Sequence, residues 1–200
     1  MFALPQATPV RATRPNILFI LADDLGAEAS SLYPNLYNSS VSGGKGQAAT
    51  PTISALASRG IVFDSVWANP VCSPTRASIM TGQYPARFNL TDWLPGRPNL
   101  PEQLVRGPVI IDHLPPSLPT LPQAFKAAGY TTGLIGKWHL GGAGHEPQKY
   151  GFDVNIAGDA SGTPTSYFAP YKNKMRTMPG LENATAGEYL TRSEEHTSEL

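Results

Sequence analysis

Asp23 and Asp24 stand side by side, directly after an apolar run and just before Gly26. Lys137 and His139 alternate around Trp138, among glycines at 136, 141 and 142. Cys72, the one cysteine of the chain, is followed by Pro74 and Arg76. Each cluster could carry chemistry. Adjacent carboxylates offer hard oxygens to calcium or magnesium, although the same pair also makes a solvated turn. On a strand, residues i and i+2 share a face. Lys137 and His139 would then aim at one site, a cation for an oxyanion and an imidazole to move a proton. Trp138 would pack behind them. The plain alternative is an edge strand with two exposed polar residues.

A lone cysteine is commonly a small buried hydrophobe, but the setting of Cys72 is unusual. Pro74 suits the first turn of a helix running to Met80 and closed by Gly82. Cys72 then sits at the helix N-terminus, where backbone N–H groups and the dipole favour an anion. Arg76, one turn on, adds positive charge. A thiolate nucleophile fits this setting, and so does a group made from the thiol. The residues by themselves leave both open.

The elements that must position these clusters alternate. Asn16–Ala22 is a continuous apolar run, the pattern of a strand buried on both faces. Thr50-Pro51 starts a helix through ISALAS that ends at Gly60, and Ile61–Ala68 follows as a second strand. Thr120–Ala128 is a short helix stopped by Gly129, leading into a strand over Thr131–Leu140. Between Arg87 and Pro122 the density of proline predicts an irregular surface excursion. Strand and helix in alternation indicate an α/β fold with a mainly parallel sheet. Such sheets bind ligands at the carboxyl ends of their strands, where all three clusters fall.

Composition narrows the classes. Apolar residues at 40% and charged residues at 15% fit a folded globular chain. Fifteen basic and fifteen acidic residues give zero net charge, without the basic excess of a nucleic-acid binder. The longest apolar run, Ile17–Ala22, is far too short to span a membrane. Residues 1–13 carry no sustained apolar core and read as a disordered lead-in or the remnant of a signal.

Three stretches together resemble the sulfatase family: CSPTRASIMTG at residues 72–82, RPNILFILADDLG at 14–26 and TTGLIGKWHLG at 131–141. TPTISALASRGIVF, between the first strand and the cysteine, is similar to that family's first helix–strand unit. The resemblance implies an alkaline-phosphatase-like three-layer sandwich, of which this chain is the N-terminal part. It implies that Cys72 is oxidised to formylglycine by a formylglycine-generating enzyme that reads Cys72, Pro74 and Arg76. The hydrated aldehyde would attack the sulfur of a sulfate ester in a sulfated small molecule or carbohydrate. Asp23, Asp24 and the modified Cys72 would hold a divalent cation, calcium or another. Arg76 would steady the hydrate, Lys137 would bind a sulfate oxygen, and His139 would assist breakdown of the hydrate. A phosphonate or phosphate ester hydrolase of the same superfamily is the alternative substrate class.

The resemblance covers about Arg14 to Thr191, so 14–191 is expected to form the N-terminal part of the catalytic domain. Residues 192–200, RSEEHTSEL, resemble the translation of a sequencing adapter and are expected to be non-native. Family members are substantially longer and carry further metal ligands and a leaving-group acid beyond these motifs. The 200-residue chain is therefore expected to be an inactive fragment by itself, and its full-length parent periplasmic or secreted.

Overall fold

The computed structural model describes residues 14–32 and 49–192, in two units divided after Asp64. The lead-in 1–13 and the tail beyond Arg192 lie outside the described residues.

In the first unit, helix α1 (Pro51–Ala57) forms with proline in its first turn, as its sequence requires. Thr50 precedes it but does not cap it with its side chain. Its hydroxyl is instead shared with Ser31 at 2.8 Å and Ser30 at 3.2 Å, and Ser31 Oγ also accepts the Thr50 N–H at 3.1 Å. A hydroxyl cluster therefore ties the short turn at Ala27–Ala29 to the start of α1. The expected strands at Asn16–Ala22 and Ile61–Ala68 do not form ladders. Their apolar side chains are exposed, Leu18 at 77% and Ile61 at 83%. A strand buried on both faces exists only when neighbouring strands supply hydrogen bonds and covering side chains, and among the described residues neither run is part of a ladder.

The second unit holds the sheet and both buried clusters. Helix α2 (Cys72–Thr81) ends at Gly82, whose φ of 66° is the left-handed conformation that glycine adopts without strain. Helix α3 (Leu121–Ala127) begins with Gln123 Oε1 accepting the Thr120 N–H at 3.0 Å, the reciprocal half of a capping box. Gly129 closes it at φ 82°. Strand β1 (Gly133–Ile135) pairs in parallel with β2 (Val154–Ile156), Leu134 opposite Asn155. Asp153 pins this register: its Oδ2 accepts the Thr132 N–H at 2.9 Å and the Thr132 hydroxyl at 3.1 Å, and Lys126 pairs with its other oxygen.

The expected strand over Thr131–Leu140 is shorter than its sequence suggests. Gly136, at φ 103°, turns the chain out of the sheet after Ile135, and His139 is itself left-handed at φ 57°. Trp138 and Leu140 then enter a core with Leu90, Leu94, Leu114 and Tyr150. The proline-rich stretch is irregular as expected, but it is more than a surface excursion, since Leu94 and Leu114 sit at 6% and 0% exposure. Proline removes ladder donors without preventing burial of the leucines between them. A second cluster, including Tyr171 and Met178, gathers Ile156 of β2 and the chain after it.

Candidate active site

Helix α2 sorts its residues by face. Ser73, Pro74 and Ala77 are buried, while Cys72 and Arg76 are partly accessible. Residues four apart lie on one face of a helix, so Cys72 and Arg76 face the same way. No side chain caps the helix at Val71. Thr75 Oγ1 instead reaches back to the carbonyls of Asn69 and Val71, both at 2.9 Å, and holds the entry to Cys72.

Two side chains of α2 fasten it to the segment after β1. Arg76 Nη1 donates to the Lys137 carbonyl at 2.5 Å, and the Ser73 hydroxyl donates to the His139 carbonyl at 2.9 Å. Ser73 Oγ also accepts the Leu94 N–H at 3.0 Å, and His139 Nε2 lies 2.6 Å from the Leu94 carbonyl. A carbonyl only accepts, so Nε2 carries a proton; in the neutral ring Nδ1 then holds the lone pair. His139 is 3% exposed, and its own N–H donates to the Asp159 carbonyl at 3.0 Å.

Lys137 and His139 therefore do not converge through a strand pleat. Both lie beyond β1, and they meet on the loop 158–164. Lys137 lines a cavity of about 70 Å³ together with Asp159, Ser161, Gly162 and Thr163. The His139 ring abuts Gly162 so closely that a β-carbon there would stand 2.6 Å from Cε1. Trp138 is buried behind them, as expected, its Nε1–H donating to the His145 carbonyl at 2.9 Å. Beneath it Tyr150 donates to the Leu114 carbonyl at 2.5 Å, and burial, with Glu146 nearby, pushes its hydroxyl up to about 12.

Cys72, Arg76, Lys137 and His139 thus lie within one unit, where Ser73 and Arg76 of the Cys72 helix bond the backbone of His139 and Lys137. Asp23 and Asp24 belong to the first unit, at the end of the exposed apolar run, with Asp24 at φ 55°. Their carboxylates suit a hard cation. Calcium takes about six to eight oxygens, and no group of three or more His, Cys, Asp or Glu among the described residues could hold a metal. The pair is chemically fit to be one part of a donor set. Ser73, Gly162, Asp159 and Arg176 were not singled out by the sequence. Ser73 had a signal, being the residue beside Cys72 on the face of α2 that turns inward. The others are visible only through contacts distant in sequence.

A parallel β-pair that follows three short α-helices, and a helix-start cysteine whose helix is bonded to a Lys-x-His segment, fit an α/β protein of the alkaline-phosphatase-like kind. The chain belongs to the sulfatase family, whose model matches residues 15–193. It is 36% identical over 169 residues to human N-acetylgalactosamine-6-sulfatase, a match that covers 81% of this chain and 28% of that protein. It is also 36% identical over 146 residues to human steryl-sulfatase, covering 72% of this chain and 22% of that protein. The crystal structure of Ps i-CgsB matches with a TM-score of 0.65 at 28% identity, covering 90% of this chain and 39% of that one. The same protein in complex with k-i-k-neocarrahexaose matches at 0.60 and 30% identity, covering 78% and 30%. The chain thus spans less than a third of the length of these curated relatives.

Proposed function

We propose that this chain carries the nucleophile-bearing part of a sulfuric ester hydrolase that acts on sulfated carbohydrates or other sulfate esters. The observation that carries the reading is the pair of bonds from Ser73 and Arg76, on the Cys72 helix, to the backbone of His139 and Lys137. They tie the helix that begins at Cys72 to the backbone of the segment that carries Lys137 and His139. The carbohydrate class rests on relatives whose names specify an N-acetylgalactosamine sulfate and a carrageenan oligosaccharide.

As a formylglycine hydrate, residue 72 would supply one hydroxyl that attacks sulfur and expels the alcohol, and a second that, once deprotonated, would eliminate sulfate and restore the aldehyde. Asp23 and Asp24 would supply carboxylates to a divalent cation, calcium by donor type, which would polarise a sulfate oxygen. Arg76, anchored on the Lys137 carbonyl, keeps the start of α2 in place and adds positive charge beside residue 72. Lys137 neutralises a sulfate oxygen by charge. His139 holds its Nε2 proton on the Leu94 carbonyl, and its imidazole would assist breakdown of the hydrate. The formylglycine-generating enzyme is the maturation partner, and the full-length enzyme works in the periplasm or outside the cell. Among the described residues no helix is long and apolar enough to cross a membrane.

The test is a panel of aryl sulfates and aryl phosphate mono- and diesters, given to the full-length enzyme after co-expression with the maturing enzyme. Turnover of the sulfates far above the phosphates is expected. The reverse order would replace the sulfatase reading with phosphoester hydrolysis.

A further inference from the structure

We propose that Arg176 and Gly162 are positioning residues that hold the loop 158–164 against the His139 imidazole; the catalytic part of this inference rests on the role given to His139 above. Arg176 reaches two points of that loop at once. Its Nη1 pairs with Asp159 Oδ2 and its Nη2 donates to the Thr163 carbonyl. Guanidinium geometry suits such a two-point clamp, whereas an ammonium can serve only as a point charge. The other oxygen of Asp159 accepts the Ser161 N–H at 2.8 Å, so both ends of the loop are fixed around Gly162. Arg176 is itself held, its N–H donating to Asn173 Oδ1 at 3.0 Å and its carbonyl accepting the Asn173 N–H at 2.9 Å.

The clamped loop touches His139 twice. The Asp159 carbonyl takes the His139 N–H, and Gly162 lies flat on the ring. A β-carbon at residue 162 would stand 2.6 Å from Cε1 and 3.0 Å from both ring nitrogens, closer than carbon atoms pack. The ring has little room to give way, because Nε2 is held by Leu94 and the backbone by Ser73. Glycine is required here for close approach, and Arg176 keeps that approach in place. The same ion pair walls the cavity beside Lys137.

The test uses the full-length enzyme and its Arg176→Met, Arg176→Lys and Gly162→Ala variants. Two readouts are taken: kinetics on an aryl sulfate, and the rate of diethylpyrocarbonate modification at each histidine, mapped by mass spectrometry. In Arg176→Met, His139 should modify at least about tenfold faster, and kcat should fall about 10–100-fold with KM nearly unchanged. Arg176→Lys should restore part of both effects. Gly162→Ala should lower kcat similarly and change the His139 rate while leaving His145 at its parent rate. A rise in KM with unchanged His139 labelling would make Arg176 a substrate contact and overturn the proposal. Equal acceleration at His145 would show general loosening and overturn it too. If the enzyme proves inactive on sulfate esters, the labelling contrast still decides the positioning geometry, separately from the sulfatase reading.

Discussion

The segments ending at Asp23–Asp24 and at Lys137–His139 start from similar sequence, an apolar run that meets polar residues and glycine. Their structures differ. Gly133–Ile135 has a parallel neighbour in β2, and beyond it Trp138, His139 and Leu140 are all buried. Before Asp23 the chain forms no ladder among the described residues, and Leu18 and Ile20 stand 77% and 76% exposed. Composition cannot account for this, since the first run is the more apolar. What separates them is non-local. The second segment has Asp153 pinning its register, Ser73 and Arg76 bonding its carbonyls, and a loop packed on its histidine. The geometry of the second segment is built by partners far away in the chain, and an apolar strand without them is only a propensity.

Removing the group that the second segment serves should have the largest effect. Cys72→Ala in the full-length enzyme should abolish turnover, since an alanine side chain cannot be converted to the aldehyde. The parent peptide containing residue 72 should be lighter than its thiol form by the difference between CH₂SH and CHO. A thiol mass in a fully active preparation would remove formylglycine from the mechanism.

Next come the two residues that β1 delivers. His139→Ala should lower kcat by about 10²–10⁴-fold with a small change in KM, the range for a lost general acid–base group. Lys137→Ala should change both parameters, because charge on a bound sulfate is felt in ground and transition states. Small, equal effects from the two would mean that the segment, although buried and ordered, faces away from the chemistry.

The first segment is tested by metal. Asp23→Ala or Asp24→Ala should cost about 10²-fold or more in kcat/KM and weaken calcium binding by calorimetry, as expected when a ligand of a cation that stabilises charge is lost. Chelation of the parent enzyme should mimic them. Full activity of Asp23→Ala in chelator would confine the whole site to the second unit.

Ser73→Ala sharpens the contrast through stability. It deletes one buried hydroxyl that serves both the His139 carbonyl and the Leu94 N–H, leaving those groups unsatisfied at a cost of about 1–3 kcal/mol. Urea unfolding of the 200-residue chain would read it, and no change in midpoint would show that α2 is not fastened there.

The smallest effect is expected at the register pin. The Lys126 ammonium, then the Thr132 N–H, hold the Asp153 carboxyl below its ordinary value of 3.8. A depressed folded value means stability that is present above 3.8 and lost as pH falls through the folded pKa. Asp153→Asn should flatten the acid limb of the unfolding curve slightly, and an unchanged limb would remove Asp153 from the account of β1.

Much of this was legible in order. The helix beginning near Pro74 and ending at Gly82, the stop at Gly129 and the proline in the first turn of α1 were read from sequence, because caps and breakers act within a few residues. The three motifs and their order also carried the family. The pleat expected to align Lys137 with His139 was not there, since Gly136 turns the chain out after Ile135. That both still meet the loop at Gly162 could not be read from their spacing.

The sequence by itself determined the residue types of the site, the short helices and the resemblance to sulfatases, all of which depend on local chemistry or on motif order. Only the tertiary structure decided which apolar runs became strands, that Ser73 rather than a strand face holds His139, and that Arg176 closes a loop over it. The reason is physical: those choices rest on hydrogen bonds and contacts between residues 17 to 66 positions apart. Their closure depends on what else is packed there, and no local preference encodes it.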